Sequence, residues 1–363
     1  MEHAISQFFA EHVSRFTQAL EDFDRHIDRQ AEPDSDAIVA ELTRSINASL
    51  ADCTALEVQL AGSDPKILKE AQARYREAIW PWFGLSWFMN HALSKPRGYP
   101  GDYHMLTSIY EARPRSRGLG GYLDRYFLNT QLGRAVVGRL RLAREFLLAE
   151  VARYEGDFAV LNVACGPCRE YLGGLGKTEH GQTTITLVDN DPLALDYVQA
   201  NVAPGLIGSA KLNFVRYNAL RMTSAVVNVE RFGRSDLIYS VGLCDYIPDK
   251  YLIPMLQGWR GSLSPGGTVY VAFKDSRRYT TPEYQWLVDW FFLQRTEEEC
   301  RNLFVAAGYD MDELEMVRDE TGIIINFIAR SKVPAFVRVD VPAALPLPQH
   351  GNVPAHSEEP HGS

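Results

Sequence analysis

Val160-Leu-Asn-Val-Ala-Cys-Gly-Pro-Cys-Arg-Glu170 is an apolar strand-forming run that breaks into a tight turn and starts a helix. A turn of that kind lets a ligand approach the backbone closely at the carboxyl end of a parallel strand. The next apolar run ends in Val188-Asp189-Asn190-Asp191-Pro192. An acidic residue at that place suits a bidentate hydrogen bond to ribose hydroxyls. Outward from these two segments the texture is regular. Short β-rich runs at 159–164, 184–189, 212–217, 236–241 and 268–273 alternate with helical stretches, the pattern of βαβ units around a parallel sheet. Runs at 313–318 and 323–329 are separated only by Asp319-Glu-Thr-Gly322, so they form an antiparallel hairpin.

The strand, turn and acidic residue fit an adenosine-containing cofactor, either a dinucleotide or S-adenosylmethionine. Three features favour the second. Only Gly166 remains of the three glycines that a dinucleotide turn uses for pyrophosphate contact and helix packing. The closing hairpin is not required by open dinucleotide folds. Leu263-Ser-Pro-Gly-Gly-Thr-Val-Tyr-Val-Ala272 enters the fifth strand through a turn often met in methyltransferases. Over roughly Gln131 to Lys332 the chain resembles class I S-adenosylmethionine-dependent methyltransferases. The resemblance implies an α/β, Rossmann-like sheet, mostly parallel with a C-terminal antiparallel hairpin, preceded by an N-terminal all-helical domain.

It also implies cofactor contacts. Ala164, Cys165, Gly166 and Cys168 would pass around the methionine moiety, and Asp189 with Asn190 would hold the ribose. Asn218 and Ala219 would approach the adenine edge, and Val241 and Gly242 would face the sulfonium. The sequence departs from the usual glycine-rich motif, with Asn162 where an acid is common and Ala164 and Cys168 where glycines are common. Glu170 is a candidate replacement for the acid missing at Asn162. A closer resemblance lies in Lys95-Pro-Arg-Gly-Tyr-Pro-Gly-Asp-Tyr103 and Tyr239-Ser-Val-Gly-Leu-Cys-Asp-Tyr-Ile247. Both are similar to bacterial proteins of extracellular factor (3-hydroxypalmitic acid methyl ester) biosynthesis. That resemblance implies methylation of a fatty-acid carboxylate.

The Pro- and Gly-rich loop 95–105 reads as a lid, because functional residues concentrate on loops held by a rigid scaffold. Its Tyr99, Asp102, Tyr103 and His104, with Asp245 and Tyr246 after the fourth strand, are the candidate catalytic residues. The tyrosines would orient an acceptor. Asp102 or His104 would serve as base only for a hydroxyl or amine, since a carboxylate is already ionised at neutral pH. Methylation of nitrogen or hydroxyl on another small molecule, and a binding module without transfer activity, are the alternatives. Cys165-Gly-Pro-Cys168 also spells a thioredoxin site; the preceding residues lack the aromatic usual there. Arg134, Arg139, Arg141 and Arg144 read as a solvated helix face, from which one guanidinium could pair with an acceptor carboxylate. The aromatics of Trp80 to Phe88 read as core, and no His or Cys lies at metal-ligand spacing from His104.

Composition narrows the class. The 363 residues, 46% hydrophobic and 23% charged, match a soluble globular protein of about two domains. The 37 Lys and Arg against 46 Asp and Glu leave a net charge of −9, which argues against nucleic-acid binding. No apolar run is long enough to span a membrane, and the first residues lack the pattern of a secretory signal. Five cysteines do not read as a disulfide framework, so a cytoplasmic protein is expected; a small-molecule or lipid-like substrate is what the resemblance implies. The expected divisions are a helical domain over 1–130, a cofactor-binding domain over 131–332 and a disordered tail over 333–363.

Overall fold

A computed structural model describes the chain from Glu2 to Ser331. The segment expected as a tail lies outside the described residues. Seven strands make one sheet: β1 (Phe158–Val163), β2 (Thr183–Asp189), β3 (Ala210–Arg216), β4 (Ser235–Ser240), β5 (Leu263–Lys274), β6 (Leu314–Arg318) and β7 (Ile324–Arg330). Their order is β3-β2-β1-β4-β5-β7-β6. The first five run parallel, and β7 pairs antiparallel with both β5 and β6. This is the expected Rossmann-like sheet with its closing hairpin. β1, β2 and β4 are buried along almost their whole length, as parallel strands covered on both faces must be. The chain winds outward from β1 to β3 and returns to β4 on the other side of β1. Such a switch point opens a crevice at the carboxyl ends of the strands.

The N-terminal region is helical, as its periodicity predicts. Phe16 and Leu20 point inward from Ser14–His26, and a π-helical stretch, Phe8–Val13, brings Phe8 and Val13 to the same core. Asp36–Gln59 is capped by Ser35, which accepts from the Ile38 amide; Pro65–Phe83 is capped by Asp64, with proline at its start. The loop expected over 95–105 runs over 95–102 between two helices, the second of which takes in its last three residues. Ser86 caps a helix over Trp87–Ser94, and Asp102 caps Tyr103–Glu111.

The expected boundary at residue 130 falls between two helices, Gly118–Asn129 and Gln131–Arg153, and the hydrophobic core runs across it. A helix that follows β5, Pro282–Val288, enters the helical layer. Fully buried Trp286 packs on Phe8 and Tyr75, with ring centroids 5.7 and 5.4 Å away, and its indole donates to Glu57 at 2.7 Å. Tyr126 donates to Glu283 and Arg76 to the Gln285 carbonyl, each at 2.7 Å. Burying one such large aromatic contributes on the order of 2–3 kcal/mol, so this joint is a principal tie between the two halves.

Candidate functional site: a cleft and an inner chamber

The β1 turn keeps a glycine-rich shape without the glycines. Ala164, Gly166 and Cys168 all have positive φ, at 54°, 55° and 50°. For Ala164 and Cys168 that conformation costs about 1 kcal/mol each, a strain the surrounding packing must hold. The Gly166 amide donates to Asp189 Oδ2 at 2.9 Å, and the Asp191 amide donates to Asp189 Oδ1 at 2.9 Å. The carboxylate that ends β2 is thus tied directly to the turn that ends β1. Burial pushes the Asp189 carboxyl above its usual range, and these amides pull it back.

Ala164, Gly166, Asp189, Asn190, Asn218, Ala219 and Gly242 line one cleft of about 590 Å³ along the strand ends. Its opposite wall is the 95–105 loop, through Arg97, Tyr99, Gly101 and Tyr103. Arg97 forks onto Asp191, with Nε 2.8 Å from Oδ2, and Tyr103 packs on Tyr197 at 5.5 Å. The loop is therefore strapped across the cleft by a bidentate ion pair that the sequence did not single out.

Other expected contacts lie elsewhere. Asn162 and Glu170 are 1% and 4% exposed and sit beneath the turn, away from the cleft lining. Asn162 Nδ2 donates to the Tyr239 hydroxyl at 2.6 Å; that hydroxyl lies 2.7 Å from Glu170 Oε1 and 2.5 Å from the Tyr171 hydroxyl. Glu170 does fill the place next to Asn162, but as the anchor of a buried network. Val241 packs between the cores, and Cys165 and Cys168 are free, buried thiols. Burial and the neighbouring Cys165 hold the Cys168 thiol well above its usual value, the opposite of a reactive thioredoxin-type thiolate.

Two of the expected bases also turn away. Asp102 is fully buried, accepting from the Met105 amide at 2.8 Å and pairing with His91 Nε2 at 2.8 Å. His104 packs on Trp87 and His91 and faces a shallow surface hollow beside Arg115 and Glu111. The helix cap takes Asp102 out of reach, because its carboxylate must serve the first turn of Tyr103–Glu111. Asp245 is also buried, locked to Lys274 Nζ at 2.5 Å and to the Lys274 amide at 3.1 Å. Of the two candidates after β4, Asp245 and Tyr246, only Tyr246 lines the cavities, its hydroxyl accepting from Trp290 Nε1 at 2.8 Å.

Beyond Tyr246 lies a second, inner chamber of about 40 Å³. Gly101, Leu106, Gly242 and Tyr246 line both cavities, so the two adjoin at these residues. Leu132, Val136, Phe127, Tyr284, Trp290 and Phe292 make the chamber apolar, and Arg139 and Lys274 are the charged residues on its wall. Three of these walls, Tyr284, Trp290 and Phe292, come from the segment after β5. Nothing in the spacing of that segment placed it here. Arg139 had a signal: it lies on the buried stripe Leu132, Val136, Arg139, Ala143, Leu147 of Gln131–Arg153, whereas Arg134 and Arg141 point to solvent. Among the described residues no cluster of His, Cys, Asp and Glu is placed to hold a metal ion. None of their helices is long and apolar enough to cross a membrane.

The fold has similar known structures. A "possible exported protein" from Bordetella parapertussis is 20% identical, with a TM-score of 0.53 over 68% of this chain and 86% of that one. A DUF574 family protein from Streptomyces avermitilis is 14% identical (TM-score 0.42, 55% and 85% covered). Magnesium protoporphyrin IX methyltransferase from Synechocystis PCC 6803, with bound S-adenosylmethionine, is 12% identical (TM-score 0.39, 55% and 83% covered). No curated protein matches the chain. Residues 96–331, which hold the strap, the turn, the sheet and both cavities, match the model of one family, and the chain belongs to that family, described as "Putative methyltransferase".

Proposed function

We propose that this methyltransferase moves a methyl group from S-adenosylmethionine to a carboxylate oxygen of a small, largely apolar acid. The observation that carries the reading is that the strand-end cleft adjoins, at Gly101 and Gly242, a chamber whose wall offers no free base; we read that junction as a passage between them. Lys274 is held by Asp245, and the Tyr246 and Tyr284 hydroxyls are pushed above their usual range by burial. A hydroxyl or amine acceptor would need a group to take its proton; a carboxylate needs none.

The cleft residues fit the cofactor. Asp189 presents a buried carboxylate to it, and at Gly166 an added Cβ would meet only Leu106, at 3.8 Å, so the turn leaves room for close approach. Asp189 and Asn190 would hold the ribose, Asn218 and Ala219 the adenine edge, and Ala164 and Gly166 the methionine part. Bound there, S-adenosylmethionine supplies an electrophilic methyl on a sulfonium. The rest of the work is positioning and exclusion of water. The Arg97 strap covers the cleft, and Tyr99, Tyr103 and Tyr246 would orient the acceptor. The apolar wall suits a hydrocarbon body, fatty-acid-like chains included. A chamber of about 40 Å³ has room for little beyond the carboxylate end, so the acceptor's hydrocarbon body would have to extend out through the passage.

Calorimetry with S-adenosylhomocysteine, beside Asp189→Ala and with NAD as control, tests the cofactor. Binding weakened about tenfold or more by the substitution is expected, from the loss of charge-assisted hydrogen bonds. Methyl-labelled cofactor is then offered with benzoate, hexanoate and 3-hydroxy fatty acids, the product being a base-labile ester. Absence of S-adenosylhomocysteine binding, or transfer to amines alone, would overturn the reading.

A further inference from the structure

The chamber holds two buried cations in unequal circumstances. Lys274 has its carboxylate, Asp245, at 2.5 Å. Arg139, only 3% exposed, has no ion-pair partner among the described residues. Its Nη2 reaches the Tyr110 hydroxyl at 3.4 Å, and its buried Nε has no hydrogen-bond partner. The other arginines of the same helix are engaged or solvated: Arg141 pairs with Glu320, Arg144 donates to the Glu170 carbonyl, and Arg134 is exposed. A guanidinium does not lose its charge at any accessible pH, so Arg139 holds a positive charge in an apolar wall with no carboxylate in contact, Asp245 and Glu170 acting on it only from a distance. Folding tolerates that only where packing over-determines the side chain or where an anion comes to meet it.

Its location is specific. A Cβ built on Gly242 would lie 3.5 Å from Nη1 and 3.7 Å from Nη2, which puts the guanidinium against the passage between cleft and chamber. The planar fork matches a carboxylate. Resting on the reading above, we propose that Arg139 is the specificity-determining residue that binds the acceptor carboxylate. One carboxylate oxygen is held by the guanidinium, and the other forms the new C–O bond as the S–CH3 bond breaks and its electron pair stays on sulfur. No proton is transferred. The product is a neutral ester, which no longer compensates Arg139. The same residue therefore favours substrate over product and drives release.

The cofactor's own methionyl carboxylate has the same chemistry. Arg139 lines the chamber and not the cleft, which favours the acceptor. Binding of benzoate and hexanoate to protein saturated with S-adenosylhomocysteine, each against its methyl ester, tests the assignment in wild type, Arg139→Gln and Arg139→Met. Wild type should prefer the acid over the ester, and both variants should lose that preference with acid binding weakened about ten- to a hundredfold. Both variants should melt at or above the wild-type midpoint, because a buried charge that no carboxylate contacts is gone. Equal binding of acid and ester by wild type, or an undiminished preference in the variants, overturns the proposal while S-adenosylhomocysteine binding leaves the methyltransferase reading intact. A tenfold loss of S-adenosylhomocysteine affinity in Arg139→Gln with 5′-methylthioadenosine unaffected overturns it too, assigning the guanidinium to the cofactor. A midpoint well below wild type in both variants, with acid preference retained, makes Arg139 structural and likewise overturns it.

Discussion

Replacing Lys274 by methionine keeps most of the side-chain volume and strands the Asp245 carboxylate. Both side chains are 4% exposed, the ammonium lies 2.5 Å from Oδ2, and it also sits 4.1 Å from the centre of the Phe292 ring. With both partners this deeply buried, solvent screening gives little relief, and breaking such a pair from one side costs about 3–5 kcal/mol. With a urea slope of about 3 kcal/mol per molar, the unfolding midpoint should fall by about 1 to 1.7 M at pH 7.5. Asp245→Asn should cost less than Lys274→Met. Burial already pulls the Lys274 ammonium below its ordinary value, so a lysine left alone can lose its charge by shedding its proton. The double variant Lys274→Met/Asp245→Asn carries no stranded charge and should recover at least half of the loss. The assay is urea unfolding followed by tryptophan fluorescence, with four proteins in one cycle. A double variant as unstable as Lys274→Met, or a Lys274→Met within about 1 kcal/mol of wild type, would refute the claim that this pair is a mutually dependent buried unit.

Burial first, against the Tyr239 and Asn162 hydrogen bonds, raises the Glu170 carboxyl above its ordinary value. Its contribution to stability is therefore complete below the unfolded value and lost as pH rises through the folded one. Glu170→Gln, which can still accept from Tyr239, should gain on wild type in thermal melts as pH is raised from 4 toward 7, and a constant difference across that range would count against the assignment. An added Cβ at Gly101 would lie 3.0 Å from Trp290 and 3.3 Å from the Tyr246 hydroxyl. Gly101→Val should push the indole into the passage and cut methyl transfer by about tenfold or more while S-adenosylhomocysteine still binds, as calorimetry and a labelled-methyl assay would read.

The sheet was legible because its signals are local. Each strand of 159–273 is a short apolar run, and four residues between 318 and 323 leave a hairpin no alternative. Asp189 was legible for the same reason, standing at the end of a strand whose neighbour ends in a turn. What a local pattern does not carry is the direction of a polar side chain. Asp102 and His104 belong to the same loop as Tyr99, yet the helix cap turns Asp102 onto His91 and away from the cleft. The letters at Ala164 and Cys168 obscured a turn whose backbone is unchanged in kind, since left-handed φ is a property of the fold that glycine merely makes easy. Arg139 was weighed with its helix neighbours as one series, and its place on the apolar stripe was the discriminating signal. The chamber's aromatic wall was hidden for a different reason: Trp290 and Phe292 meet Phe127 only through contacts that span much of the chain.

The tie between Trp286 and Glu57 joins residues 229 apart in the chain. At about 5–20 residues per second on a ribosome, the N-terminal helices are made on the order of ten to fifty seconds before the segment that completes their core. During that interval Phe8 and Tyr75 lack the indole they pack against. The nascent helical layer is therefore an open, sticky intermediate, and its maturation is timed by the arrival of the same stretch that walls the chamber. Completion of the helical core and of the chamber wall therefore waits on the same late segment.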